Sequence, residues 1–235
     1  MRVLHSALAT VIVGLAIGIG LGRRRLPGVT MRRVAVVLLA VICFASLSLS
    51  AQRRITSPDG HAATEIRGHY EGAEDPVYVG GKWIEISYGR PIKRGRDLWG
   101  EGSTYGKFLN RGAPVWRAGS DISTYLMSDL ALVINGKTVP PGGHTLFIDL
   151  KERNWTLIVS DWQPQQRYNP GDKTKLWGSF GYTRDKDVVR APMTLATLPY
   201  SVEQLTWEFV DMTEVGGTLA FMWDRNRATV PFTVK

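Results

Sequence analysis

Apolar and polar residues alternate with a period of two over much of the chain after residue 76. In residues 83–88, for example, the side chains of Ile84, Ile86 and Tyr88 share one face. Because successive side chains of a strand point to opposite faces, this alternation predicts half-buried strands. Further candidate strands cover residues 122–127, 144–150, 155–160, 177–183, 188–198, 205–209, 219–223 and 230–234. No ten-residue segment after residue 52 has a helical period, although residues 97–107 leave room for one helical turn.

Turn signals separate these candidate strands. Asn135-Gly136 predicts a tight hairpin turn within residues 130–150, because both residues tolerate positive φ. The Pro-Pro-Gly-Gly sequence at residues 140–143 predicts a second turn, and residues 224–227 a third. Nine or ten strands at this spacing predict an all-β fold, a single antiparallel β-sandwich over residues 76–235, with jelly-roll-like and Ig-like topologies both open. The polar residues 52–75 are interpreted as a linker.

The first 51 residues contain two apolar segments. Residues 31–51 run from Arg32 and Arg33 through an apolar stretch to small residues, which is the order of a secretory signal peptide. Residues 1–30 are either an upstream over-extension, with Met31 as the true start, or an extra transmembrane segment. Both alternatives place the rest of the chain outside the cytoplasm, as a periplasmic or secreted protein or one anchored by its N-terminal segment.

The charge distribution changes the meaning of the basic composition. The formal net charge is +8, but six of the 29 basic residues and none of the 21 acidic residues lie before residue 34. The remaining chain therefore has 23 basic residues against 21 acidic ones, a net charge of +2. A surface this close to neutral argues against nucleic-acid binding. Contact with a membrane is predicted only through the N-terminal segment, and the oligomeric state is not predicted.

The residue types that bind metals are scarce after the leader. The single cysteine, Cys43, lies within the apolar stretch of the signal peptide, so the mature part has neither a disulfide nor a thiolate ligand. The histidines at positions 61, 69 and 144 lack the short spacings of a zinc site. We therefore predict no metal and no cofactor.

Several short motifs follow one another in a fixed order. They are YGRP at residues 88–91, GR at 95–96, WG at 99–100, WRAG at 116–119, INGK at 134–137 and WG at 177–178, followed by Tyr182, Asp187 and Arg190. The set resembles the bacterial family named domain of unknown function 2911, over residues 57–235. This resemblance implies secreted or envelope-associated proteins with an all-β domain and no established activity, so it transfers no catalytic residue. The sequence departs from the family pattern at Ser120, Asp121, Ile122 and His144.

Arginines and aromatic residues concentrate in two stretches, residues 88–100 and 115–124, which are expected to meet in space. The planar guanidinium fork suits a carboxylate or a phosphate. One interpretation is a polar cleft that binds a small anionic or sugar ligand; the other is a structural ion-pair cluster in which Asp97 and Asp121 are the partners. The candidate binding residues are Arg90, Arg96, Trp99, Trp116, Arg117, Asp121 and His144.

Two classes of function remain open. A non-catalytic binding or structural module is favoured, because no GxSxG sequence or other catalytic motif is present. The alternative is a hydrolase of an envelope or carbohydrate component, with Asp121 and His144 as acid–base residues. All eight tryptophans lie after residue 80, and Trp99, Trp162 and Trp177 lie in turn-rich sequence where exposed rings could stack on sugars.

The leader generates a prediction about export. N-terminal sequencing of the mature protein is expected to start near residues 51–53, because the small residues that precede this point fit a cleavage site. Protein that retains Met31 in the cytoplasmic fraction would contradict the prediction. Membrane-bound protein with residues 1–50 intact would instead support the anchored form.

Overall fold

The computed structural model describes residues 57–235. The predictions for residues 1–30 and 31–51, including the position of Cys43, lie outside the described residues. Within residues 57–235, no helix has the length and apolar character that crossing a bilayer requires.

Strands account for most of the described chain. They are β1 (Asp59–Ile66), β2 (His69–Glu71), β3 (Val77–Val79), β4 (Lys82–Gly89), β5 (Thr124–Ser128), β6 (Leu132–Ile134), β7 (Lys137–Val139), β8 (Gly142–Lys151), β9 (Asn154–Ser160), β10 (Gln163–Pro164), β11 (Lys175–Leu176), β12 (Asp187–Pro192), β13 (Thr194–Thr213) and β14 (Gly216–Val234). One short helix, α1 (Lys107–Asn110), and two 3-10 turns, Gly102–Thr104 and Arg184–Lys186, complete the described secondary structure. The prediction of an all-β chain is confirmed.

Two larger antiparallel sheets organise these strands. The first has six strands in the order β1-β4-β5-β8-β9-β12, and the second has four in the order β13-β14-β6-β7. Two small sheets are added, the antiparallel pair β2–β3 and the parallel pair β10–β11. The predicted hairpin at Asn135-Gly136 is confirmed, since β6 and β7 pair directly across this turn.

The hydrophobic core takes side chains from both larger sheets. Ile84 and Ile86 of β4 are fully buried in the same cluster as Trp207 of β13 and Phe221 of β14. Trp83 lies on the opposite face of β4 and is 46% exposed. The period-two interpretation of residues 83–88 is therefore confirmed. Each fully buried large side chain stabilises the fold by roughly 1.5–3 kcal/mol relative to an exposed one.

The linker prediction is wrong for residues 59–66 and 69–71, which form β1 and β2. Strand β1 pairs with β4 along its whole length at the edge of the six-stranded sheet. Only Gly60 and Ile66 of this strand are buried. Strand β1 is held by backbone hydrogen bonds to β4 rather than by a buried face. Its side chains therefore show no alternation of apolar and polar residues from which the strand could be predicted.

Two other local predictions are wrong. Residues 224–227 form no turn, because β14 continues through them. The strand is irregular at Asp224, whose φ is 54°. Residues 177–183 form no strand. Gly178 and Gly181 have φ values of 64° and 83°, so the backbone turns where the aromatic residues had suggested an extended segment.

The two arginine-containing stretches meet at Gly89, as expected. The Ser120 amide donates a hydrogen bond to the Gly89 carbonyl over 3.2 Å. A Cβ atom placed on Gly89 would lie 1.9 Å from the Ser120 carbonyl oxygen. Only a residue without a side chain allows the end of β4 and the 115–124 stretch to approach this closely.

This contact generates a prediction. Gly89→Ala is expected to lower the free energy of unfolding by roughly 1–3 kcal/mol, because the new methyl group meets backbone rather than a movable side chain. Chemical denaturation measures the loss. Gly171→Ala is the control, since a Cβ there meets only the Asn169 side-chain oxygen at 3.3 Å. Equal stability of the two variants would contradict the proposed close approach.

Candidate functional site

A cleft of about 100 Å³ lies beside the contact between these two stretches. Three arginines line it, Arg96, Arg111 and Arg117, together with Asp121 and the ring of Trp116. Three elements contribute these side chains: the segment after β4, the end of α1 and the loop before β5. The cleft therefore concentrates basic side chains in a domain whose overall charge is nearly balanced.

Arg117 is the buried arginine of the cleft, with only 8% of its surface exposed. Its Nη1 donates a hydrogen bond to the Asp121 carbonyl over 2.5 Å, and its guanidinium lies 5.5 Å from the centroid of the Phe180 ring. A Cβ atom on Gly178 would lie 2.4 Å from the Arg117 Cζ, so the guanidinium packs directly against that backbone. These contacts fix the side chain in place.

No carboxylate among the described residues forms an ion pair with Arg117. Burial lowers the pKa of its guanidinium, the nearby Arg111 lowers it further, and Asp121 partly offsets both effects. The guanidinium has five N–H donors, and within residues 57–235 one side-chain hydrogen bond uses them. A buried cation with spare donors is a suitable binding group for an anion.

The other two arginines differ in how they are held. The Arg96 Nε donates to the Lys93 carbonyl over 2.8 Å, its Nη2 donates to the Ile92 carbonyl, and its guanidinium lies 5.6 Å from the centroid of the Phe108 ring. Arg111 is exposed and ends α1 with a φ of 49°. The cleft thus has two arginines in fixed positions and a third at its exposed side.

The loop that carries Arg117 is locally strained and firmly held. Ala118 and Asp121 have φ values of 55° and 60°, a region that non-glycine residues rarely adopt. The indole N–H of Trp116 donates to the Gly119 carbonyl over 3.2 Å, and that of Trp207 donates to the Ala118 carbonyl over 3.0 Å. Such strain persists only where surrounding contacts determine the conformation, so the cleft is organised before any ligand arrives.

The tryptophans of this region belong to the core. Trp99 packs 4.7 Å from Trp155, and Trp116 stacks on Trp223 with ring centroids 6.0 Å apart. The predicted exposure is wrong for Trp99 and Trp162, each of which is 8% exposed. Turn-rich sequence can still cover the end of a core, and that is where these rings lie.

Trp177 is half-buried, with an edge-to-face contact to Tyr168 at 5.9 Å. Its ring is therefore not fully exposed, although the sequence had placed it among the candidates for an exposed ring.

Arg90 lies outside the cleft. Its Nε donates to the Leu205 carbonyl over 3.0 Å and its Nη2 to the Thr206 hydroxyl over 3.2 Å, so it binds β13 instead. The predicted ion pairs of Arg90, Arg96 and Arg117 with Asp97 and Asp121 are wrong, since none is present among the described residues. Each of the three arginines donates to a backbone carbonyl instead. Arg111 takes the place that sequence reasoning assigned to Arg90. In the sequence, the only indication that Arg111 belongs to the cleft was its position in the long connection before Trp116.

His144 also lies outside the cleft. It is 5% exposed, its Nδ1 lies 2.9 Å from the Asp161 carboxylate, and its Nε2 lies 3.0 Å from the Pro140 carbonyl. The pairing of His144 with Asp121 as acid and base is therefore wrong. Both ring nitrogens already have partners, and the polar tip of the Asp121 side chain contacts the Ser120 hydroxyl instead.

Metal ligands do not cluster in the part of the chain that the structure describes. No group of three His, Cys, Asp or Glu residues there has an arrangement that could hold a metal ion.

Comparison with known families agrees with the motifs. The sequence profile of the family described as "Protein of unknown function (DUF2911)" matches residues 73–232. The chain belongs to this family. The match runs from just before β3 into β14 and includes every residue of the cleft named above, so the resemblance seen in the sequence is confirmed. A search of the curated proteins and a search of the solved structures each returned no match.

An ion pair between Lys93 and Asp224 joins the segment that contains Arg96 to β14. The Lys93 ammonium binds the Asp224 carboxylate of β14, and both side chains are about one-fifth exposed. Burial alone raises the pKa of the Asp224 carboxyl, but hydrogen bonds from Lys93 and Ser201 outweigh it and hold the pKa below its usual value. The ionised form of Asp224 therefore stabilises the folded state.

The direction of this shift sets a pH dependence. A carboxyl whose folded-state pKa is depressed contributes stability above its unfolded-state pKa, and this stability is lost as the pH falls through the folded-state value. Asp224→Asn is expected to lower the free energy of unfolding by roughly 1–2 kcal/mol at neutral pH. The difference from wild type should shrink below about pH 4, where the unfolded carboxyl is protonated.

Urea denaturation across this pH range measures the effect, with exposed Glu74→Gln as the control. A difference between Asp224→Asn and wild type that stays constant as the pH falls would contradict the assignment of Asp224 as an ionised partner of Lys93.

Proposed function

We propose that residues 57–235 form a β-sandwich module that works outside the cytoplasm and binds a small anionic group, without catalysis, at the arginine cleft. One observation carries the proposal: the buried guanidinium of Arg117 has no carboxylate partner among the described residues and lines an open cleft. Desolvating a cation is costly unless a counter-charge compensates it, and a bound anion supplies that charge.

Arg190 of the same protein provides the contrast. This half-buried arginine binds the Asp149 and Asp187 carboxylates over 2.7 and 3.0 Å. Burial alone lowers the pKa of its guanidinium, but the hydrogen bond to Asp187 and the nearby charges reverse that effect and raise it. The pKa of Arg117 shifts in the opposite direction. Arg190 thus has two carboxylate partners, whereas Arg117 has none among the described residues.

The dimensions and surface of the cleft favour an anionic group over a sugar ring. A space of about 100 Å³ admits a carboxylate, a phosphate or a sulfate. The indole of Trp116 is buried against Trp223 and offers no open face for stacking on a sugar. The guanidinium forks of Arg96, Arg111 and Arg117 match the oxygens of a planar or tetrahedral anion.

The remaining parts of the proposal rest on the sequence and on the site's composition. The extracytoplasmic location follows from the signal-like pattern of residues 31–51. The non-catalytic role rests on the sequence, which contains no GxSxG sequence or other catalytic motif. The hydrolase alternative would need acid–base residues other than the His144–Asp121 pair, since His144 contacts Asp161 and Pro140 instead.

Arg111→Gln tests the proposal. This residue is exposed and its loss should leave the fold intact, while removing one charged donor is expected to weaken anion binding about 10- to 100-fold. Titration calorimetry of the full-length protein with phosphate, sulfate and acetate measures the affinity. Arg153→Gln is a matched control, because Arg153 is also exposed, also has a positive φ of 63°, and lies outside the cleft.

Binding of none of the three anions by the wild type would overturn the proposal. Equal affinities of Arg111→Gln and Arg153→Gln would likewise show that anions bind elsewhere. Thermal melting of each variant confirms that any loss of binding does not reflect unfolding.

A further inference from the structure

The cleft contains one acidic side chain among its three arginines. Asp121 lines the cleft with Arg96, Arg111 and Arg117. Its carboxylate forms no ion pair with any basic residue that the structure describes, and it accepts one long hydrogen bond, from the Ser120 hydroxyl over 3.3 Å. Asp121 is exposed, and an ionised carboxylate can only accept hydrogen bonds, so its free lone pairs are available to a donor that enters the cleft.

We infer that the cleft binds inorganic hydrogen phosphate, and that Asp121 selects this ion by accepting the proton that it carries. The inference rests on the proposed anion site and names its ligand. A fully deprotonated anion has only acceptor oxygens, so an oxygen that faced the Asp121 carboxylate would be repelled by it. An anion with an O–H group can donate to Asp121 while its other oxygens accept from the guanidinium groups.

This requirement separates phosphate from its analogues. Inorganic phosphate retains at least one proton at neutral pH, whereas sulfate retains none. A phosphate monoester is mostly a dianion at neutral pH, because its second pKa is about 6, so it too lacks the proton in its main form. A carboxylate ligand such as acetate also has no O–H group. Of these ions, hydrogen phosphate is the one that offers both negative oxygens and a donor.

The charges of the cleft support the same ion. Three guanidinium groups and one carboxylate leave two positive charges to be balanced. Hydrogen phosphate is a dianion and neutralises both, whereas a monocarboxylate neutralises one. The backbone of Asp121 has a φ of 60°, and the hydrogen bond from Arg117 to its carbonyl holds the residue in place. The carboxylate therefore starts from a fixed backbone position beside the arginines.

Selectivity between phosphate and sulfate is the measurement that tests this inference. Titration calorimetry of the full-length protein, at neutral pH and matched ionic strength, compares phosphate, sulfate and methyl phosphate, a monoester without a hydroxyl group. Wild type is expected to prefer phosphate over sulfate by about tenfold or more, since sulfate leaves Asp121 facing another acceptor. Methyl phosphate should bind as weakly as sulfate.

Asp121→Asn should remove the selectivity. The asparagine amide can donate to sulfate, so the affinity for sulfate is expected to rise, that for phosphate to fall, and their ratio to approach one. Asparagine tolerates the left-handed backbone that position 121 requires. Asp211→Asn is the matched control, because Asp211 is exposed, has a φ of 52° and lies outside the cleft. Its phosphate-to-sulfate ratio should equal that of wild type.

The outcomes separate this inference from the proposed function. Equal affinities of wild type for phosphate and sulfate, both lost in Arg111→Gln, would keep the anion site and overturn the role of Asp121. An unchanged ratio in Asp121→Asn, or methyl phosphate that binds as well as phosphate, would also overturn it. Failure of phosphate, sulfate and acetate all to bind would overturn the proposed function itself.

Discussion

Two indole N–H groups hold the loop on which the cleft depends. Trp207 of β13 and Trp116 donate to the consecutive carbonyls of Ala118 and Gly119. Trp116 is also joined to the six-stranded sheet, since its backbone exchanges two hydrogen bonds with Ile148 of β8. The same aromatic side chains therefore fill the core and supply the polar contacts that a strained loop needs.

This arrangement ties the site to the stability of the fold. The left-handed conformations of Ala118 and Asp121 cost roughly 1–3 kcal/mol each, and the burial of the tryptophans offsets that cost. A loop held in this way does not have to become ordered when a ligand binds, so less of the interaction energy is spent on ordering. Rigid donors suit an ion that has few conformations of its own.

Three arginines of this protein differ in role because they bind different acceptors, although the residue type is the same. Arg90 binds backbone and hydroxyl acceptors of β13 and strengthens the contact between β4 and the second sheet. Arg190 binds two carboxylates and completes a polar network on the first sheet. Arg117 has a single carbonyl acceptor beside an open cleft, and its pKa is lowered. Of these three arginines, Arg117 is the one that lines the cleft.

The sequence alone determined those features that depend on neighbouring residues. The alternation around Ile84 and Ile86 predicted a buried strand face, and Asn135-Gly136 predicted a hairpin, because pleating and turn geometry act over a few residues. The motifs also identified the family, which follows from the order of residues along the chain. The approach of the two arginine-containing stretches at Gly89 was likewise predicted from sequence.

Only the tertiary structure decided which side chains share the cleft. Arg111 enters it and Arg90 does not, because the turn of the chain after α1 and the position of β13 are set by contacts between residues far apart in sequence. Burial of Trp99 beneath neighbouring rings, and the binding of His144 to Asp161, depend on the same long-range packing. The local pattern of residues carries no information about such contacts. Each contact joins two residues that are far apart in the sequence, and the pattern around one of them does not specify the other.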